Sequence, residues 1–427
     1  MQLRDVYLVD GARTPFIKAG SGPGPFATAD LAVLAGRSLL ARQPFAPDQL
    51  DQVIAGCVMP GPDEANIGRV VALRLGCGNR VPAWTVQRNC ASGMQSIDSA
   101  RKAIGYGEAD LVLAGGMEAM SHAPVLWGPE MVTWLGKWSA ARSAMARVKL
   151  LTQIRPAFLV PVIGLLRGLT DPIVGLSMGQ TAEILARRFG ITRAMMDEFA
   201  VASHLRSVAA LEAGHLDELV TLYDGRGTVY DHDSGVRPDS AVDKLGRLKP
   251  VFDREFGNVT AGNSSQITDG ASWVLLVSEE AVSKHGLQPM ARVLDCHWAG
   301  LDPSQMGLGP VYAATPLLQR NQLTLDQIDY WEINEAFAAQ VLACIAAWQD
   351  RTFCIEELGL PGALGTIDTD RLNVDGGAIA VGHPVGASGN RITLHLAKVL
   401  QRQRARLGIA AICIGGGQGG AMLLETV

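Results

Sequence analysis

Paired cysteines are missing from this 427-residue chain: it has seven cysteines, an odd number, and no Cys-x-x-Cys. That argues against a disulfide scaffold and a structural zinc site, and reduced thiols point to a cytoplasmic setting. No run of 18 apolar residues occurs. The nearest stretch, Ala157 to Leu169, is broken by Pro161, Gly164 and Arg167, so no transmembrane helix is expected. Arg4 to Asp10 reads as a strand and lacks the apolar core and cleavage site of a secretory signal. Charge is sparse, with 37 basic against 42 acidic residues and a net −5. No nucleic-acid surface is expected from that balance. HExxH, P-loop and G-x-S-x-G motifs are absent, and no metal site is expected.

What is present is apolar residues, at 48%, and 48 glycines. Ala109–Gly115 and Ile409–Gly415 read as buried strands. Thr181–Phe189, Thr192–Ala213 (Thr192 as N-cap), Leu317–Leu323 and Glu335–Trp348 read as helices. Strands alternating with helices predict an α/β architecture. There is also an internal echo. Ala91-Ser92-Gly93 opens a helix and is followed by Gly115-Gly116, and Ala387-Ser388-Gly389 opens another, followed by Gly415-Gly416-Gly417. The shared order and spacing predict two duplicated halves.

Met131 to Thr170 holds six basic residues and no acidic one, so the rest of the chain carries all the negative charge. A solvated amphipathic helix, a membrane-surface hairpin, a partner contact and a site for ligand phosphates are all open readings.

Cys90 lies between a strand-like stretch and a helix start, where the helix dipole favours the thiolate nucleophile. His383 sits in a loop too glycine-rich for core filler, and aligning the echo places it opposite Gln87, close to Cys90. Together they suggest a Cys–His nucleophile and base. Cys413 ends a strand before Gly415-Gly416-Gly417, where amides can face an oxyanion and a thiol can pass protons. The literal G-x-G-x-x-G there has no room for a following helix, which excludes dinucleotide binding. Asn334, after a strand-like Ile328–Ile333, either orients a water or caps a helix.

Asn89-Cys90-Ala91-Ser92-Gly93, Gly115 to Ser121, Asn334 to Gln340, Gly376 to Pro384 and Cys413 to Gly417 together resemble the thiolase family, across essentially the whole chain. The resemblance implies a five-layered αβαβα fold of two duplicated halves with an inserted loop domain. The halves would be residues 1–120 with 260–284, and 285–427, with the insert at 121–259. It implies reversible acyl transfer between a 3-ketoacyl-CoA and CoA, with CoA thioesters as substrates and no permanently bound cofactor. Cys90 would carry the acyl group, His383 would accept its proton, and Cys413 would move the proton at the carbon beside the thioester. Asn334, holding a water beside His383, would form one oxyanion hole; the amides of Cys90 and Gly415 would form another. Ser265 would contact pantetheine, and Met178, Met306 and Phe337 would line the acyl pocket. A homodimer or homotetramer is implied.

Residues 131–170 and Asp350–Arg371 look like the thiolase subunit of trifunctional complexes, which suggests a hydratase/dehydrogenase partner or a membrane surface. Those subunits, however, typically carry His where this chain has Asn334. Ser177 and Lys244 depart from the CoA-site residues of compact thiolases. A ketoacyl-synthase-type condensing enzyme, a non-catalytic CoA-binding protein and a structural subunit are the competing readings. Cys413 argues against the first, and the joint presence of Cys90, His383 and Cys413 against the second.

Overall fold

The computed structural model describes residues 3–427. The chain begins with β1 (Val6–Arg13), α1 (Thr28–Leu40), β2 (Gln52–Gly56), α2 (Ile67–Arg74), β3 (Ala83–Val86), α3 (Ser92–Gly105) and β4 (Leu111–Ala119). A long excursion then carries α4 (Pro129–Ala140), α5 (Ala144–Leu151), α6 (Met178–Arg188) and α7 (Arg193–Glu212). The chain returns through β5 (Thr268–Ser278), β6 (Ala291–Gly300), α8 (Gly309–Arg320), β7 (Tyr330–Ile333) and α9 (Ala338–Gln349). It closes with α10 (Val385–Gln403), β8 (Leu407–Ile414) and β9 (Gln418–Thr426).

These strands lie in one mixed sheet, ordered β7-β8-β9-β6-β1-β5-β4-β2-β3. Its seam is narrow: Tyr7 opposes Arg292 and Leu8 opposes Ala291 across β1 and β6. The seam divides the sheet into two wings. α1 and α2 cover the outer face of one wing, and α8 covers the other. α3 and α10 pack on each other, α3 on strands of the first wing and α10 on strands of both. The layers are therefore α/β/α/β/α. Three apolar clusters fill them, one outside each wing and one around α3 and α10 between the wings. β4 and β5 are buried along their whole lengths, as expected for strands covered on both faces.

The echoed Ala-Ser-Gly marks the crossing of the two middle helices. A Cβ on Gly93 would lie 2.8 Å from the Asn390 nitrogen, and one on Gly389 2.8 Å from the Met94 nitrogen. Only glycine allows backbones to approach this closely. The crossing brings the loops before α3 and α10 together, and those loops carry Cys90 and His383.

Several boundaries differ from the sequence reading. The helix expected over Leu317–Leu323 starts at Gly309, with Pro310 in its first turn, and ends at Arg320. The one expected from Glu335 starts at Ala338. Glu335 is held outside it, accepting from Ser203 Oγ at 2.6 Å and from Asn373 Nδ2 at 2.8 Å. The strand expected to stop at Gly115 runs on to Ala119, its pairing with β5 continuing to Asp269, and a Cβ on Gly115 would strike the Trp273 indole at 2.1 Å. Thr192 does cap α7, accepting from the Met195 amide. Among the described residues no helix is long and apolar enough to cross a membrane.

Candidate active site

Cys90 precedes α3 in a strained turn. Asn89 takes a left-handed backbone (φ 43°), and its Nδ2 donates to the Gly415 carbonyl at 2.8 Å. That bond ties the Cys90 loop to the turn joining β8 and β9. The Gly415–Gly417 stretch is this hairpin turn, with Ile414 opposite Gln418, in keeping with the exclusion of a dinucleotide loop. The amides of Gly415 and Cys90 donate toward the Cys90 sulfur and favour its thiolate.

Burial outweighs them. It pushes the Cys90 thiol up, with Glu118 adding to the effect. Desolvation of the sulfur costs more than the two amides return, so the favouring effect expected of the helix start does not by itself leave a thiolate. Cys413, at the end of β8, is pushed up further by burial, and charge on Cys90 raises it again. Both sulfurs rest as thiols, so either needs a base to become nucleophilic or basic.

His383 supplies one. Gly382, at φ 105°, turns the chain into it, and a Cβ there would strike Thr268 at 2.3 Å. Burial, and then the Arg391 charge, lower His383 to about 4, so its ring is neutral. Nδ1 lies 2.6 Å from Ser388 Oγ, and that hydroxyl donates to the Pro384 carbonyl at 3.1 Å. With its one proton committed, Ser388 can only accept from Nδ1–H, which leaves the Nε2 lone pair free. Nε2 is buried and has no protein partner. Such a ring can accept a proton at Nε2.

Asn334 is fully buried, and both its side-chain atoms lack partners. It caps no helix, so the capping reading fails: α9 starts four residues later with Phe337 at its cap. An unpartnered buried amide is costly and recurs at functional sites.

One cavity of about 620 Å³ is lined by Cys90, His383 and Cys413. Ser265, Met178, Met306 and Phe337 line it too, as does Ser177. Asn334 and Gly415 are absent from its lining, although Gly415 meets the Cys90 sulfur through its amide. Lys244 pairs instead with Asp239 on the surface, at 2.5 Å. Sequence reasoning missed Ser388 and Asn89 as positioning residues, having read both as parts of motifs. It also missed Glu118, which accepts from the Val58, Met59 and Gly386 amides and so braces the turn after His383. A glutamate inside an apolar strand was the available signal.

The whole chain has counterparts. Residues 6–280 match the family described as Thiolase, N-terminal domain, and residues 287–426 match Thiolase, C-terminal domain. The chain is 39% identical to the beta-ketoadipyl-CoA thiolase of Pseudomonas aeruginosa, over 99% of its own length and 100% of that protein's. It is 35% identical to the mitochondrial trifunctional enzyme subunit beta of Bos taurus, over 99% of its length and 89% of that one. The crystal structure of human mitochondrial 3-ketoacyl-CoA thiolase in complex with CoA superposes with a TM-score of 0.84 at 36% identity, covering 100% of this chain and 99% of that one.

Proposed function

The chain belongs to the thiolase family and is an acyltransferase using coenzyme A thioesters, and we propose that Cys90 carries the acyl group between a 3-ketoacyl-CoA and free CoA. What carries this reading is that Cys90, His383 and Cys413, from two halves of the chain, line a single cavity.

In the cleavage direction the Cys90 thiol proton passes to His383 Nε2 as the sulfur attacks the 3-keto carbon. The bond between carbons 2 and 3 then breaks, and its electron pair forms the enolate of acetyl-CoA. Cys413 protonates that carbon, and acetyl-CoA leaves. The CoA sulfur next attacks the acyl–Cys90 thioester and carries the acyl group away, while its proton makes good the one Cys413 gave up. The proton held on His383 returns to the Cys90 sulfur as it is released. Acylation and deacylation are separate steps, so ping-pong kinetics follow. The amides of Cys90 and Gly415 hold the tetrahedral oxyanion. His383 and a water on Asn334 hold the enolate oxygen. Removing one such donor typically costs about 10²–10³ in rate. Ser265 contacts the pantetheine arm, and Met178, Met306 and Phe337 line the acyl chain.

We assign residues 1–120 with 260–284 to one half, 121–259 to the insert and 285–427 to the other half, as homodimers or homotetramers in the cytoplasm. Reduced thiols support the compartment. Similarity to a trifunctional enzyme subunit supports a second reading, in which the chain joins a multi-enzyme assembly. The test is steady-state cleavage of 3-ketoacyl-CoAs of increasing chain length, with CoA varied, by the chain purified alone. Parallel double-reciprocal lines with at least one chain length support the proposal. Absence of cleavage at every length overturns it.

A further inference from the structure

We infer that Arg88 is a positioning residue for acyl transfer: it staples the loop carrying Cys90 to the turn carrying Gly415 and so fixes the spacing of their two amides. The inference rests on the reading that Cys90 is acylated beneath those amides. Both amides meet the Cys90 sulfur, yet one precedes α3 and the other follows β8, so no single element sets the distance between them. The Gly415 side is the looser one. Gly416 and Gly417 follow at φ 92° and 74°, and three glycines in a row have the widest choice of backbone conformations. Oxyanion donors act only about 2.7–3.1 Å from the charge, so such a turn needs tethers.

Three bonds hold the turn. The Leu301 amide donates to the Gly417 carbonyl at 2.8 Å, Asn89 Nδ2 donates to the Gly415 carbonyl at 2.8 Å, and Arg88 Nη1 donates to Gln418 Oε1 at 3.1 Å. The last two cross from the Cys90 loop. Arg88 is the better anchored of that pair. Its Nε donates to Gln95 Oε1 on α3 at 2.8 Å, and its own amide donates to Ser92 Oγ at 2.9 Å. Its guanidinium lies over the Trp298 ring of β6, 4.4 Å from the centroid, a favourable cation–π distance. Trp298 is fixed in turn: its indole N–H donates to Asp98 Oδ2 on α3 at 2.9 Å. Gly420 on the neighbouring strand leaves room for that ring, because a Cβ there would meet it at 2.4 Å. One planar fork therefore touches α3, β6 and the start of β9 together. Lysine, a point charge on a flexible stem, cannot bond two acceptors in one plane while stacking on an indole.

The test is the rate of Cys90 acylation by acetoacetyl-CoA, followed by rapid quench of the full chain without free CoA. Arg88→Lys should slow it about 10²-fold, the effect of a misplacement of about 1 Å, with the half-saturating substrate concentration little changed. Gln418→Ala should slow it as well, and it carries the test alone if Arg88→Lys does not fold. The double variant should be no slower than Arg88→Lys, because both changes remove the same bond. Alkylation of Cys90 by iodoacetamide develops no oxyanion, so it should fall much less than acylation. Unaltered acylation in both single variants overturns the inference. Losses that simply add in the double variant overturn it too, and so does an equal loss of alkylation and acylation, which would make Arg88 a support for the sulfur rather than for the amides. A parent enzyme that never acylates Cys90 overturns the acyl-enzyme reading and this inference with it, whereas a parent that acylates beside unimpaired variants overturns this inference alone.

Discussion

The Nδ1 of His383 lies 2.6 Å from the hydroxyl of Ser388, five residues on and one turn into α10, and that hydroxyl is itself anchored to the Pro384 carbonyl. The pair fixes which imidazole nitrogen is free, so the tautomer is built into the start of a helix. Removing the hydroxyl leaves Nδ1–H unpartnered in a buried site and lets the proton move to Nε2, which then cannot take one from Cys90. For Ser388→Ala we expect kcat to fall about 10²-fold, the low end of general-base contributions, with KM little changed. In the parent enzyme, the acid limb of kcat/KM should lie near pH 4, where the lowered His383 protonates. An inflection near 6.5, the ordinary histidine value, would show that the ring is not held as described.

Asn334 separates function from stability. Its buried amide has no partner, and such a group costs about 1–3 kcal/mol. Asn334→Leu should therefore leave the melting temperature unchanged or raise it, while lowering kcat about 10²–10³-fold. A lower melting temperature together with near-normal kcat would make Asn334 a structural residue.

His395 predicts a pH dependence of folding. It lies buried between Glu218 and Asp375, with each ring nitrogen 3.1 Å from a carboxylate; burial opposes its charge, but the charges and hydrogen bonds of these carboxylates together outweigh it and raise it to about 9. A histidine raised above its unfolded value stabilises fully below about pH 6.5, and the contribution is lost as pH rises toward 9. Arg13 joins the same cluster through Glu218 and Asp233, so the first strand, the insert and α10 share it. For His395→Gln we expect a loss of roughly 3–5 kcal/mol at pH 6 and a flatter decline of stability between pH 6.5 and 9. Urea titrations across that range measure both. A parallel decline in the two proteins would remove His395 as the titrating group.

Much of this was legible in the residues. The echo of Ala-Ser-Gly corresponds to a physical crossing, because close helix approach demands glycine at Gly93 and Gly389 alike. The Cys90 and His383 loops were recognisable because glycine and proline beside a reactive side chain make poor core. The charge state of Cys90 was not legible: it depends on how much surrounding protein displaces water, which no local motif reports. Ser388 was hidden for a similar reason. Its spacing from His383 becomes a hydrogen bond only once α10 begins at Val385. Helix starts near Gly309 and Ala338 were misplaced because apolar periodicity runs through residues that tertiary contacts, such as those of Glu335, hold extended.

The acyl–Cys90 intermediate is the centre of the account, and acid quenching after mixing with acetoacetyl-CoA in the absence of free CoA tests it most directly. Peptide mass spectrometry should find one acetyl group, on Cys90, discharged when CoA is added and absent from Cys90→Ala. An acetyl group on Cys413 instead, or sustained turnover by Cys90→Ala, would contradict it.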